Sequence, residues 1–219
     1  MDFGLTGRVV WILGPPSPAV WDLAEAFLDE QAVIRLVTTR GSGWLEGRRL
    51  ELRAGQNVRM ATADEHCNLL SAALLSPLLD AGPPDVVLLV RTARPESDPS
   101  AHEWDQLLLS RAAQLREGGT VVVVTFNRAN TPGATEARAL DIEAALQSHG
   151  TWSALCSRDC AVSLIALSLD SLAAMGPRNS SGVRQDESLH GLGALAIFMA
   201  TLGRGRTAMV SDEGSITFL

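Results

Sequence analysis

The residues with the clearest chemical meaning lie in a turn that follows the first apolar run of the chain. Val9–Leu13 is followed by Gly14-Pro-Pro-Ser-Pro-Ala-Val20, and a segment with helical spacing begins near Trp21. Such a turn can bind a phosphate through glycines and free backbone N–H groups at the helix N-terminus. Proline has no N–H group. Pro15, Pro16 and Pro18 therefore remove donors where a phosphate would need them, and we expect a structural turn.

Two polar residues near this turn have a chemical and a structural interpretation. Ser17 is the only hydroxyl of the turn, but its surroundings do not match a nucleophile elbow, so a helix N-cap is the simpler role. Arg40, at the end of the second apolar run, would suit a 2′-phosphate. Because the turn lacks phosphate donors, we interpret Arg40 as a solvated loop residue.

The sequence provides no convincing metal site. His66-Cys67 and the pair Cys156 and Cys160 bring too few ligands at a suitable spacing. These three cysteines are expected to be reduced. Asp141 and Glu143 lie two residues apart on a predicted helix, so they do not share a face and are expected to be solvated.

Composition excludes several classes of function. The 219 residues are 46% hydrophobic and 20% charged, which is typical of one globular domain. The net charge of -7 and the lack of a Lys/Arg cluster argue against nucleic acid as a partner. No apolar run reaches the roughly 18 residues of a membrane span, and the first residues do not resemble a signal peptide. We therefore expect a cytoplasmic protein.

Apolar runs alternate with helical patterns along the chain. The predicted strands are Val9–Leu13, Ala32–Val37, Asn57–Ala61, Asp85–Val90, Thr120–Thr125, Trp152–Cys156 and Thr207–Ser211. The predicted helices are Trp21–Gln31, Glu65–Asp80, Ala101–Glu117, Thr135–Ser148 and Leu189–Leu202. Arg40–Arg53 contains Gly41, Gly43 and Gly47 and is therefore predicted to form turns or a small hairpin. Cys160–Ala174 is predicted to form either a strand or a helix, with a helix favoured in its second half. The alternation predicts one α/β domain over residues 1–219 with a doubly wound parallel sheet.

The order of these elements resembles the short-chain dehydrogenase/reductase family over essentially the whole chain. Three segments carry the resemblance: Met1–Val10 before the first strand, His149-Gly150 after a helix, and Thr207–Gly214 around the last strand. The resemblance implies a Rossmann-like fold with about seven strands. The short stretches before and after the fifth strand suggest shortened helices around the former active site.

The positions that act in that family are replaced here. The glycine-rich turn becomes the proline turn, the Asp that contacts adenine aligns with Ala61, and the Asn-Asn-Ala-Gly stretch falls on Leu89-Val90-Arg91-Thr92. The family's Ser falls on Thr125 or Phe126, its Tyr on Arg128 and its Lys on Pro132. In the family this Tyr, with its pKa lowered by the Lys, exchanges a proton with the substrate. The chain contains no tyrosine.

These departures lead to the hypothesis of a non-catalytic subunit without catalytic, cofactor or metal residues. The expected partner is a catalytically intact short-chain dehydrogenase that binds NAD, in a heterotetramer of two plus two subunits. One alternative is a stand-alone enzyme with a rebuilt site that uses Arg128 or Asp64. Another is a ligand-sensing module that uses the vacated cleft.

The segment Leu189–Leu202 is apolar enough to form either a core helix or a subunit interface. The resemblance implies an interface, because this helix and the last strand of the family pack against a neighbouring subunit. The apolar tail supports that interpretation. The expected interface residues are Leu195, Phe198, Met199, Met209, Ile216, Phe218 and Leu219.

Overall fold

The computed structural model describes residues 3–40, 44–63, 71, 75–91, 101–127, 144, 155, 157–168, 187–202, 205–210 and 216–218. The strands are β1 (Val9–Leu13), β2 (Val33–Thr39), β3 (Val58–Ala63), β4 (Val86–Val90), β5 (Thr120–Asn127), β6 (Ala161–Ser168), β7 (Thr207–Val210) and β8 (Ile216–Phe218). The helices are α1 (Pro18–Asp29), α2 (Trp44–Ala54), α3 (Ala101–Ala112) and α4 (Glu187–Thr201). Short 3-10 turns lie at Gly55–Asn57 and Ser76–Ala81.

The eight described strands form one sheet in the order β3-β2-β1-β4-β5-β6-β7-β8. All neighbouring pairs are parallel except β7 and β8, which are antiparallel. The α/β Rossmann-like fold is therefore confirmed, with seven parallel strands and one short antiparallel strand at the edge. The predicted bounds of β1 agree with the structure, and those of β2 to β5 and β7 differ by one or two residues.

The sheet is covered on both faces, which explains the continuous apolar runs of its central strands. Every residue of β1 and β4 is buried. One face packs against α1 and α4, and the other against α3 and the turn at Ser76–Ala81. None of the helices in the described ranges has the length and hydropathy needed to cross a bilayer.

Four elements differ from the sequence prediction, and the first is the segment before β3. Arg40–Arg53 is not a hairpin, because Trp44–Ala54 forms α2. Its Gly47 is not a turn residue: a Cβ there would lie 2.6 Å from the Met60 sulfur and 2.7 Å from the Trp21 ring. This glycine lets α2 pack closely against α1 and β3.

The sixth strand was predicted at Trp152–Cys156 and instead lies at Ala161–Ser168, where it pairs with β5 over its whole length. Leu155, from the predicted strand, is in a helical conformation and buried. The helix α3 ends at Ala112 and not at Glu117, and the predicted tail contains β8. The predicted helix Thr135–Ser148 lies outside the described residues except for Ala144, as does most of Glu65–Asp80.

A buried carboxylate joins three strands at the amino edge of the sheet. The Asp85 side chain is 6% exposed, and its oxygens accept hydrogen bonds from the Val9 N–H at 2.8 Å and from Arg8 at 2.9 Å. Arg116 contributes a second guanidinium at 3.3 Å. The backbone of Asp85 also donates to the Val9 carbonyl and accepts from the Thr120 N–H. Asp85 therefore links the starts of β1, β4 and β5.

Replacing Asp85 by alanine should lower the free energy of unfolding by about 1–3 kcal/mol, because the buried Val9 N–H loses its acceptor. Glu46→Ala is the matched control, because Glu46 is 45% exposed and pairs with Arg49, which is 74% exposed. We expect a loss below about 1 kcal/mol there. Urea unfolding of both variants measures the difference, and equal losses would contradict the role assigned to Asp85.

The contact between α1 and α4 depends on one glycine. A Cβ on Gly193 would lie 2.5 Å from the Ala26 Cβ, whereas a Cβ on Gly191 would meet nothing within 4 Å. Gly193→Ala should destabilise the fold by about 1–3 kcal/mol through overpacking. Gly191→Ala should stabilise it by about 0.5–1 kcal/mol, because alanine has the higher helix propensity. Thermal unfolding of both variants checks these opposite signs, and a shift of the same sign in both would refute the assignment.

Candidate functional site

The candidate site lies at the carboxyl edge of the sheet, between β1 and β4. From β1 the sheet continues through β2 to β3 on one side and through β4 to β8 on the other. In open α/β sheets this change of direction leaves a crevice outside the carboxyl ends of the strands, where ligands bind. Gly14 follows β1 at this point and Arg91 follows β4.

The proline turn caps α1 with its own side chain. The Ser17 hydroxyl accepts a hydrogen bond from the Val20 N–H at 3.4 Å, and the Ser17 carbonyl accepts one from the Trp21 N–H at 3.2 Å. The backbone of Ser17 is extended and Pro18 is the first helical residue, which is the arrangement expected for an N-cap. The predicted capping role of Ser17 is confirmed.

Gly14 provides close packing between the turn and β4. Its N–H donates to the Val37 carbonyl at 3.1 Å. A Cβ at this position would lie 2.8 Å from the Val90 carbonyl oxygen and 3.4 Å from a Val20 methyl group. The space beside this glycine is therefore filled by the chain itself.

Three other positions matched to the family's cofactor site are apolar and buried. Leu89 and Val90 are at most 2% exposed, and Ala61 is 6% exposed. Arg40 is exposed, and its N–H donates to the Ala63 carbonyl at 2.8 Å. Neither Leu89, Val90 nor Ala61 has a side-chain hydrogen-bonding group with which to bind a nucleotide.

The position matched to the family's Ser falls on Thr125 or Phe126, and both residues lie in β5. Thr125 is fully buried. Arg128 and Pro132 lie outside the described residues, as do Asp64, His66, Cys67 and Cys156. Among the residues that are described, no group of three or more His, Cys, Asp or Glu could hold a metal ion. Cys160 is half-buried, and its thiol donates to the Arg116 carbonyl at 3.2 Å.

An ion pair at the carboxyl edge was not predicted from the sequence. Nη2 of Arg91 contacts both carboxylate oxygens of Asp105 in α3. The Arg91 N–H donates to the Val124 carbonyl at 2.9 Å, which places this residue between the ends of β4 and β5. A charged residue directly after a buried strand was the available signal, because that position reaches the carboxyl edge.

Two further polar features on the sheet were also missed. The guanidinium of Arg111 lies 4.9 Å from the centre of the Trp11 ring, a cation–π contact, and burial lowers the pKa of Arg111 below its ordinary value. Thr38 and Thr62 are paired in register, and within the described part of the chain their buried hydroxyls have no hydrogen-bond partner. Strand propensity alone explains threonine at both positions, so these residues carry no signal of a function in the sequence.

The expected interface residues divide into core and surface. Leu195 and Met199 are buried in this chain's own core, so their side chains are not available to a neighbouring subunit. Phe198 is partly buried and packs against Phe218 with ring centres 5.7 Å apart. Phe218 is 44% exposed and Ile216 45% exposed. Leu219 and the Met209 side chain are outside the described part.

Comparisons with known proteins support the fold. No protein-family model and no curated protein matches the sequence. A short-chain dehydrogenase/reductase from Serratia marcescens is 13% identical with a TM-score of 0.60, covering 95% of this chain and 98% of that one. One from Oenococcus oeni is 15% identical with a TM-score of 0.58, covering 96% and 98%. A carbonyl reductase from Pseudomonas aeruginosa in complex with NADP is 20% identical with a TM-score of 0.54, covering 97% and 99%.

If the proline turn serves only to cap α1, the side chain at position 17 should contribute to stability only by accepting a hydrogen bond from the Val20 N–H. Ser17→Ala should lower the free energy of unfolding by about 1 kcal/mol, whereas Ser17→Asp keeps the acceptor and should remain close to the parent chain. Urea unfolding measures both variants. A loss as large in Ser17→Asp as in Ser17→Ala would show that capping is not what this residue does.

Proposed function

We propose that this chain is a non-catalytic subunit of a hetero-oligomeric, NAD-dependent short-chain dehydrogenase. The observation that carries the proposal is the complete lack of tyrosine in a chain whose fold matches oxidoreductases of that family over nearly its full length. The proton relay of those enzymes needs a Tyr hydroxyl near a Lys. A fold that is kept while its reactive groups are replaced is most simply explained by a structural or regulatory role.

The packing at the cofactor positions supports the same proposal. The turn after β1 has three prolines. The Ser17 hydroxyl accepts a hydrogen bond from the Val20 N–H, and Gly14 packs against the Val90 carbonyl. A pyrophosphate needs several backbone N–H groups that point outward from such a turn. The chain thus uses this corner to hold its own strands and helix together.

The partner subunit would supply the cofactor and the reaction. It would bind NAD, which would serve as the oxidant when a β-hydroxyacyl-CoA is converted to the β-keto thioester. We propose that this chain takes the place of the inactive partner in an assembly like the 2-[hydroxy(phenyl)methyl]-succinyl-CoA dehydrogenase of anaerobic toluene breakdown. Two copies of each subunit form the heterotetramer.

The surface for this association contains β8 and the end of α4. Ile216 and Phe218 lie two residues apart in β8, so both side chains are on the same face of the strand. The Phe198 ring of α4 packs against Phe218 and extends this apolar surface. Leu202, directly after α4, is 65% exposed. Apolar side chains gathered at one edge of a sheet are typical of a subunit contact.

Co-purification tests the association. A tagged chain co-expressed with the dehydrogenase encoded beside it should retain that partner, and Phe218→Asp should weaken the complex about tenfold or more, since a charge would be buried at the contact. Leu52→Asp is the matched control, because Leu52 is 83% exposed on α2 near the other edge of the sheet. Circular dichroism of both variants checks that they remain folded.

The proposal fails if the chain expressed alone is a stable homo-oligomer and binds none of the dehydrogenases encoded beside it. Equal binding of the parent chain and Phe218→Asp would leave the partnership intact but place its contact elsewhere, which contradicts the assigned surface. NAD-dependent oxidation by the isolated chain would instead favour a stand-alone enzyme with a rebuilt site.

A further inference from the structure

A cavity of about 200 Å³ lies at the amino edge of the sheet, the edge opposite the candidate functional site. The segment before β1, the start of β4, the turn before β5 and the end of α4 surround it. Arg8 and Glu117 line it with exposed charged side chains, and Phe3 and Leu5 line it with apolar ones. Drug-sized ligands occupy clefts of about 300–1,000 Å³, so this cavity is sized for a smaller molecule.

The Asp85 carboxylate also lines the cavity, but the chain already satisfies it. Its oxygens accept hydrogen bonds from the Val9 N–H, Arg8 and Arg116, and its side chain is only 6% exposed. Asp85 therefore holds Arg8 in place and is not itself available to a ligand.

The polar groups at the end of α4 have partners within the chain as well. The Ala200 carbonyl accepts a hydrogen bond from the Thr120 hydroxyl at 3.0 Å, and the Thr201 hydroxyl donates to the Ile197 carbonyl at 2.8 Å. Neither group needs a ligand, which leaves the charged side chains in front of the helix to recognise one.

Arg8 presents one edge of its guanidinium without a partner. Its Nη1 donates to Asp85 at 2.9 Å, whereas Nε and Nη2 have no acceptor among the residues that the structure describes. Nε and Nη2 point to the same side of the planar group and form a fork that matches the two oxygens of a carboxylate. Because the side chain is 54% exposed, this fork can be reached from solvent.

Glu117 adds a negative charge at the same cavity. It is exposed in the turn before β5, and within the described part of the chain its carboxylate has no ion pair or hydrogen bond. Two arginines and two carboxylates surround the cavity, so their charges sum to zero. A simple anion would meet the Glu117 carboxylate and a simple cation the Arg8 guanidinium, whereas a molecule with both charges would find a partner for each.

We infer that the cavity binds a small zwitterion of the amino acid class, with its carboxylate on the Arg8 fork and its ammonium group on Glu117. Asp85 is the positioning residue that orients Arg8. Phe3 and Leu5 provide an apolar wall for the carbon atoms between the two charges. The inference stands independently of the subunit role proposed above, because it uses none of the residues assigned to the subunit contact.

Glycine, β-alanine and 4-aminobutanoate are suitable probes, because they carry the same two charges at increasing separation. At least one of them should bind the isolated full chain saturably in isothermal titration, about tenfold or more tightly than acetate or methylammonium, which carry one charge each. The heat of binding is the better readout, since osmolytes raise the unfolding temperature of proteins in general by exclusion from their surface.

Glu117→Gln should weaken this binding about tenfold or more, the usual effect of losing a charge-assisted contact. Glu46→Gln, which removes an exposed carboxylate from α2, is the matched control and should bind as the parent chain does. Arg8→Lys keeps a charge beside Asp85 but lacks the fork, so several-fold weaker binding is expected.

Saturable binding of none of the three amino acids overturns the inference, as does binding of acetate or methylammonium as tight as that of the best amino acid. Equal affinities of the parent chain and Glu117→Gln overturn it too, because the ammonium group would then not contact this carboxylate. Unchanged binding by Arg8→Lys overturns the assignment of the fork. If Arg8→Lys does not fold, Glu117→Gln decides alone, since Glu117 is exposed and has no described partner to lose.

Discussion

The pairing of β1 with β4 is the contact on which the rest of the structure depends. Both strands are buried throughout, and Val10–Leu13 lies in register with Val86–Leu89. At the amino end the Asp85 carboxylate fixes the pair through the Val9 N–H, and at the carboxyl end Gly14 lies against the Val90 carbonyl. The strand order reverses between β1 and β4. The contact that organises the sheet therefore also lies directly beneath the candidate site.

The carboxyl end of this pair shows what holds a strand, a turn and a helix together at a corner that contains three prolines. A phosphate turn needs outward N–H groups, whereas a structural turn needs a helix cap and close packing. Ser17 provides the cap and Gly14 the packing, and the prolines restrict the backbone of the turn. Replacing donors by prolines therefore leaves the strand, the turn and α1 in place. What remains polar at this edge includes the side chain of Arg91 with its partner Asp105.

The fold could be predicted because its central strands are continuous apolar runs, which both faces of a covered sheet require. The prediction failed where glycine was interpreted as a turn signal: Gly47 lies inside α2 because Trp21 and Met60 leave no room for a side chain. The position of β6 was also wrong, since several apolar stretches compete in that part of the chain and only pairing with β5 selects Ala161–Ser168. The absence of tyrosine and the three prolines of the turn could be read from the sequence, and the interpretation that a catalytic site has been lost stays a prediction. The contact of Arg91 with Asp105 could not be read from the sequence, because it depends on where α3 packs.

Titration of the isolated chain with NADH and NADPH shows whether it binds a dinucleotide. We predict no saturable binding up to about 1 mM, the concentration at which a weak site with a binding free energy of about 4 kcal/mol is half occupied. The complex with the intact dehydrogenase should bind NADH only at the partner's sites, with a stoichiometry of one per partner subunit. Saturable binding of either dinucleotide by the isolated chain in the micromolar range, accompanied by a rise in its unfolding temperature, would contradict the account.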